Sequence, residues 1–189
     1  MLTLLIALMS AALATGPATP VQIDCTGVKM ATFEAADETG ADMLMDFQVG
    51  DLLTYEVIIV QTLTCLDQPL TPTAAASVYG LVAMASLVDK DRDEQALRAA
   101  LFAAHLADAR YELPEVLPPS NKLRQLKPDV AAFPVTREQL TAPEGGELLV
   151  NGHVTTTRFG GSPAIVQVRL DGAITNTLYL APAVSWSAQ

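Results

Sequence analysis

The sequence predicts an α+β protein, with N-terminal antiparallel helical hairpins followed by a small antiparallel β module. Three observations carry this reading. Apolar residues recur at helical spacing from Ala74 to Ala109. Six of the twelve prolines then fall between Pro114 and Pro143. Beyond them the apolar period drops to two, and the turn pairs Asn151-Gly152 and Asp171-Gly172 appear. The 189 residues divide into a signal peptide at 1–14, a helical domain at 24–113, a Pro-rich connector at 114–142 and a small β module at 143–189.

The first fourteen residues, MLTLLIALMSAALA, carry no charge. Ala12 and Ala14 stand at −3 and −1 of an A-x-A-like cleavage point before Thr15. The stretch lacks the usual leading Lys or Arg, and it is shorter than the about 20 residues that span a bilayer. The expectation is an exported protein, periplasmic or secreted, touching a membrane only through an unprocessed signal. Gln22-Ile23-Asp24 before Cys25 do not form the small-residue motif of a lipoprotein.

Cys25 and Cys65 have two readings. In an oxidising compartment they pair, closing a loop of 41 residues, which the chain-entropy argument values at roughly 4 kcal/mol. Otherwise they are two buried free thiols. The chain has no C-x-x-C pair to support thiol–disulfide catalysis.

Thr32 to Phe47 predicts a helix interrupted by Gly40. Asp51 to Leu66 is ambiguous. The run Val57-Ile58-Ile59-Val60 favours strand by propensity, while Leu53, Val57, Val60 and Leu63 fit one helix face. Thr71 and Pro72 make a helix start, as N-cap and first helical residue. Ala74 to Val88 follows, with Val78, Leu81, Val82, Ala85 and Val88 at helical spacing. Gln68 to Val88 holds no charge, but Pro69 and Pro72 interrupt it. A buried helix fits better than a membrane span. Asp89 to Asp93 breaks the helix, and Asp91 or Asp93 caps the next one. Glu94 to Ala109 places Ala96, Leu97, Ala100, Leu101, Ala103, Ala104 and Ala107 on a broad small-residue face, completing a helical hairpin.

The connector is expected to cross the surface, as neither helix nor central strand. In the β module, Leu148-Leu149-Val150 leads into Asn151-Gly152 and a strand from His153 to Phe159. Gly160-Gly161-Ser162-Pro163 turns the chain into Ile165 to Leu170. Asp171-Gly172 turns it again into Ile174 to Leu180. A sheet of about four strands must pack on the helices or on a partner.

The net charge is −10, concentrated in the first half: residues 24–67 carry −8 and residues 116–189 carry +1. Phosphate-neutralising nucleic-acid binding is therefore not expected. Lys122, Arg124, Lys127 and Arg137 form a mildly basic patch, read either as a solvated loop or as a dock for acidic surface. Asp89, Asp91 and Asp93 begin like a calcium loop. Glu94 and Ala100 stand where that loop needs Gly and Glu, so helix capping is the simpler use. His105 and His153 have no further ligands at metal spacing, and no metal or cofactor is expected. The chain has no nucleophile elbow, phosphate loop or dinucleotide fingerprint. Trp186, the only tryptophan, reads as simple packing, with a cover for the edge of the β module or a contact surface as the alternatives.

The helical hairpin resembles a tetratricopeptide (TPR) unit. Ala96 and Ala103 match small positions of that family; Met84 stands where it has Gly and Asp108 where it has Pro. Pro143-Glu144-Gly145-Gly146 leading to Leu149-Val150-Asn151-Gly152 is reminiscent of PEGA domains, and the layout is similar to uncharacterised bacterial envelope proteins. The resemblance implies that Asp51 to Leu66 is helix, and that the chain binds protein in a groove or assembles by stacking. The candidate groove residues are Tyr79, His105 and Tyr111. A TPR clamp for a C-terminal carboxylate would need Lys and Asn where Leu81 and Ala85 stand.

The function expected is therefore a non-enzymatic interaction or scaffold protein of the bacterial cell envelope, with a protein partner and open oligomeric state. One alternative is a small-ligand-binding protein or hydrolase using a helical groove around His105. Another is a structural subunit that self-assembles through Gln68 to Val88.

Overall fold

The structure, a computed structural model, describes residues 25–126 and 136–182. The signal-peptide residues 1–14, Lys127 and Trp186 lie outside the described residues. The fold is mixed α+β, with helices on the N-terminal side and small antiparallel sheets on the C-terminal side.

Cys25 and Cys65 are joined by a disulfide, with Cα atoms 5.3 Å apart. The expected helix from Thr32 to Phe47 is two: α1 (Met30–Glu34) and α2 (Ala36–Met45), broken at Ala35. Gly40 does not break α2. It lets α2 approach α4 (Pro72–Val88), because a Cβ there would sit 2.5 Å from the Leu81 side chain.

Residues 51–66 are helical: α3 (Val49–Thr62) runs into a 3₁₀ turn at Leu63–Cys65. Its buried face differs from the one expected. Leu52, Glu56, Ile59 and Thr62 point inward; of the expected Leu53, Val57, Val60 and Leu63, Leu63 is fully buried, Leu53 and Val60 are half-buried and Val57 is exposed. Glu56 supplies the reason. Arg92 grips its carboxylate with two hydrogen bonds of 3.0 and 3.2 Å, which draws a charged residue into the inner face. Val57 and Ile58 are left in solvent, 46% and 50% exposed.

α4 is the axis of the molecule. Thr71 Oγ1 accepts the Ala74 N–H at 3.1 Å, and Pro72 occupies the first turn. Ala74 to Ser86 are all buried, among α1, α2, α3 and α5 (Glu94–Ala107). Asp93 caps α5 by accepting the Ala96 N–H at 2.9 Å. The helix read as a surface for self-assembly is thus covered by its own chain. Among the described residues, no helix is long and apolar enough to cross a membrane.

The connector is corrected in part. It contains α6 (Lys122–Leu126) and the short strand β1 (Thr136–Gln139). Leu117, Leu123 and Leu126 enter the main core, since burying leucines outweighs the cost of ordering the prolines around them. The basic patch is not free either. Lys122 pairs with Glu94 at 2.9 Å, Arg124 donates to the carbonyls of Leu113, Pro114 and Leu117, and the Arg137 guanidinium lies 5.8 Å from the Phe159 ring centre.

The remaining strands are β2 (Gly146–Val150), β3 (His153–Val154), β4 (Thr157–Gly160), β5 (Ala164–Leu170) and β6 (Ala173–Leu180). One antiparallel sheet has the order β3-β2-β5-β6; β1 and β4 pair separately. The single strand expected from His153 to Phe159 is therefore split. Thr155 Oγ1 accepts the Thr157 N–H at 3.2 Å, and this local turn redirects the chain from one sheet to the other. Ile165 belongs to the helical core, with Phe159 and Tyr179 packed against it. Leu148, Val150, Val166, Val168 and Leu180 form a second cluster with Leu140. Gln167 clamps the sheet to the loop before α4: its Oε1 accepts the Leu70 N–H at 2.6 Å and its Nε2 donates to Gln68 O at 3.1 Å. The β module thus keeps a cluster of its own and joins the helical core through Ile165, Phe159 and Tyr179.

Candidate functional site

The corner between α2 and α3 breaks the local rules that the rest of the chain obeys. α2 ends in a paired cap. The Gln48 N–H donates to Met43 O at 2.9 Å and the Phe47 N–H to Leu44 O at 3.2 Å, the Schellman arrangement. That cap needs one residue in the left-handed region, usually Gly. Here it is Phe47, with φ at 57°. A side chain in that conformation costs roughly 1 kcal/mol. No burial offsets the cost, because Phe47 is 89% exposed.

Exposed apolar residues extend from this ring. Met45 and Val49 flank it in sequence, and Val57 and Ile58 stand further along α3. Gly50 and Val57 are separated by about 10 Å of helix rise. Asp42, Asp46 and Asp51 are exposed around the same corner. Asp51 suits the first turn of α3, where the helix dipole favours negative charge. Asp42 and Asp46 sit at the opposite pole, at the end of α2, and the last turn of α2 holds no base.

The groove residues expected from the sequence do not share one surface. Tyr79 is wholly buried in α4, so it cannot line an open groove. Its hydroxyl donates to Asn151 Oδ1 at 2.6 Å, and its ring lies 6.4 Å from that of Tyr179. Burial raises the pKa of Tyr79 well above the ordinary phenol value, helped by Tyr179. His105 is exposed in the last turn of α5. Tyr111 lies over Gly80 and lines a cleft of about 230 Å³ together with Asp37, Ser77, Glu38 and Asp108. Burial first, then the neighbouring Asp37 carboxylate, raise its phenol pKa well above normal. His105 is not part of that cleft wall.

In the cleft wall, Asp37 and Ser77 are engaged with each other. Ser77 Oγ donates to Asp37 Oδ1 at 2.6 Å and accepts the Asp37 N–H at 3.1 Å. Asp37 Oδ1 also accepts the Glu38 N–H at 2.9 Å. This ties the first turn of α2 to α4. A smaller cavity of about 90 Å³ lies beside His153 and Arg158. There His153 Nε2 meets Ala107 O at 2.7 Å, closing the end of α5, and buried Arg158 pairs with Glu138 at 2.6 Å. Of the acids once compared with a calcium loop, Asp89 accepts the Asp91 N–H and pairs with Arg92, while Asp93 caps α5. Among the described residues, no group of three or more His, Cys, Asp or Glu side chains is arranged to hold a metal.

Sequence reasoning missed Phe47. The available signal was a helix ending without Gly at the cap, with Gly50 three residues late. It also missed Val57 and Ile58, because periodicity alone put Val57 on the buried face. The chain matches no family model, no curated protein and no solved structure.

Proposed function

We propose that this chain is a non-enzymatic interaction protein of the bacterial cell envelope, binding a protein partner through the corner between α2 and α3. The observation that carries the reading is Phe47: an aromatic ring held in water, at a cap position where its own backbone prefers glycine. Local rules are broken in this way mainly at functional sites. The α4–α5 pair is taken as a TPR-like hairpin and residues 143–189 as a PEGA-like module, with export as the route to the envelope. α4 packs against both α2 and α3 and so supports the corner between them. The disulfide from Cys25 to Cys65 fixes the far end of α3, about 20 Å of helix away from the corner.

The test is photo-crosslinking in cells that export the full chain. p-Benzoylphenylalanine replaces Phe47 in one variant and Asp171, in the exposed β5–β6 turn, in another. The expected result is a discrete protein adduct at position 47 and none at 171. A folded, disulfide-bonded protein that gives no adduct at 47 overturns the reading. A purified protein that turns over a small molecule also overturns it, in favour of the enzyme alternative; loss of that activity in His105→Ala would place the site.

A further inference from the structure

We infer that the surface docking on Phe47 is an apolar face flanked by lysine or arginine side chains, on a protein other than a second copy of this chain. The inference rests on the interaction reading above and names the chemistry of the partner. Phe47, with Met45 and Val49 beside it and Val57 and Ile58 further along α3, supplies the apolar part. The charge supplies the rest. Asp42 and Asp46 stand one helical turn apart at the C-terminal end of α2, where the helix dipole disfavours carboxylates. Asp42 also lines a shallow cleft with Glu38, Glu115 and the exposed Val116, so acidic surface continues away from the corner.

The corner thus holds two features that its own fold disfavours, an aromatic ring in water and carboxylates at a negative pole. One partner chemistry compensates both. An apolar face covers the ring, and cations along its edge meet the carboxylates. A second copy meeting corner to corner leaves the carboxylates uncompensated. It would set Asp42, Asp46 and Asp51 against their equals, within the about 10 Å over which exposed charges still interact, in a chain of net charge −10. An anionic membrane surface is disfavoured by the same repulsion. Complementary charge of this kind sets partner choice and association rate more than final affinity.

The test uses the full oxidised chain and two labelled fourteen-residue amphipathic peptides. Both carry the same leucine face; one has lysine and the other glutamate at the polar positions. The lysine peptide is expected to bind at least tenfold tighter, and to weaken as salt rises. Phe47→Gly, which suits the backbone, is expected to weaken it at least tenfold, with Phe47→Asn as a second variant. Asp42→Asn with Asp46→Asn is expected to weaken it and flatten the salt dependence. Asp171→Asn is expected to do nothing. Equal binding of both peptides overturns the inference, as does binding indifferent to Phe47→Gly, which is charge alone. A dimer in analytical ultracentrifugation that Phe47→Gly dissociates assigns the corner to a second copy and overturns it too. So does binding of phosphatidylglycerol vesicles that depends on Phe47. If the adduct at position 47 forms in cells and survives the paired Asp→Asn change, the interaction reading stands and this inference alone fails. If no adduct forms, both fail.

Discussion

The Tyr79 hydroxyl donates a 2.6 Å hydrogen bond to Asn151 Oδ1, joining the central helix to a turn that the sequence marks only as a hairpin tip. The same oxygen accepts the Ile165 N–H at 3.0 Å. Asn151 adopts φ of 54°, and Gly152 follows at 83°. A Cβ on Gly152 would come within 2.7 Å of Leu70 O and Pro72 N, so the turn is pressed onto the start of α4. Tyr79→Phe leaves Asn151 one donor short and should cost about 1 kcal/mol. Asn151→Ala loses both bonds and puts Ala at positive φ, and should cost about 3 kcal/mol. Urea unfolding should show one transition by both far-UV and tyrosine signals. A separate early melt of the β strands would show that this contact does not couple the two parts.

The disulfide between Cys25 and Cys65 restrains the unfolded chain over its 41-residue loop. Cys25→Ser with Cys65→Ser should lower the unfolding free energy by about 4 kcal/mol. The loss should appear as a lower urea midpoint, and reducing the native protein should reproduce it. An unchanged midpoint would mean that the contacts of α1 with α4 already order this part of the chain.

The helix starts were legible because capping is local. Thr71 and Asp93 each accept an N–H three residues on, and both act as their types suggest. The Asn151-Gly152 and Asp171-Gly172 turns were legible because positive φ selects those residues. What the sequence concealed depends on distant partners. Glu56 turns inward only because Arg92, 36 residues later, reaches it. The Pro-rich stretch holds α6 only because Leu117 and Leu123 find the helical core. Phe47 was hidden for a different reason: local preference argues against what is there, and only the folded chain reveals the ring in solvent.

Glu56 and Arg92 make a second test of long-range dependence. Glu56 is buried, and Arg92 is its cation. Burial works against charge on Arg92, yet Glu56 and then Asp89 outweigh it and keep its pKa above the ordinary value. Arg92→Met strands a buried carboxylate and should cost about 3 kcal/mol. Adding Glu56→Leu should recover most of that loss, because the apolar pair strands no charge. Equal losses in the single and double variants, measured by urea unfolding, would show that the ion pair contributes little beyond packing.

Three phenols make the fold sensitive to alkali. Burial raises the pKa of Tyr79, Tyr111 and Tyr179, and carboxylates beside Tyr111 and Tyr179 add to it. The unfolded chain ionises its tyrosines near pH ~10 while the folded chain keeps these three protonated. Above that pH the unfolded state binds fewer protons, so stability is full below it and falls as pH rises toward the folded pKa values. Each phenol can contribute up to about 1.4 kcal/mol per pH unit. Urea midpoints between pH 9 and 11 should fall steeply, on the order of the tyrosine range. Tyr79→Phe should make the slope shallower by one phenol's share. An unaltered slope would mean that Tyr79 ionises in place.

Phe47→Gly separates binding from folding. Nearly all of the ring is in water, so its removal loses little burial, while glycine relieves the left-handed strain at φ of 57°. Glycine also gains entropy in the unfolded chain, which offsets part of that relief. The net expectation is a gain of about 0.5 kcal/mol, alongside loss of the partner. Most exposed-to-glycine changes elsewhere go the other way: at Val57, inside α3, glycine should cost about 1 kcal/mol in helix propensity and lost side-chain burial together. Thermal or urea unfolding of the two variants side by side checks this. A clear destabilisation by Phe47→Gly would mean that the ring supports the fold, and that its exposure has a structural cause at the corner itself.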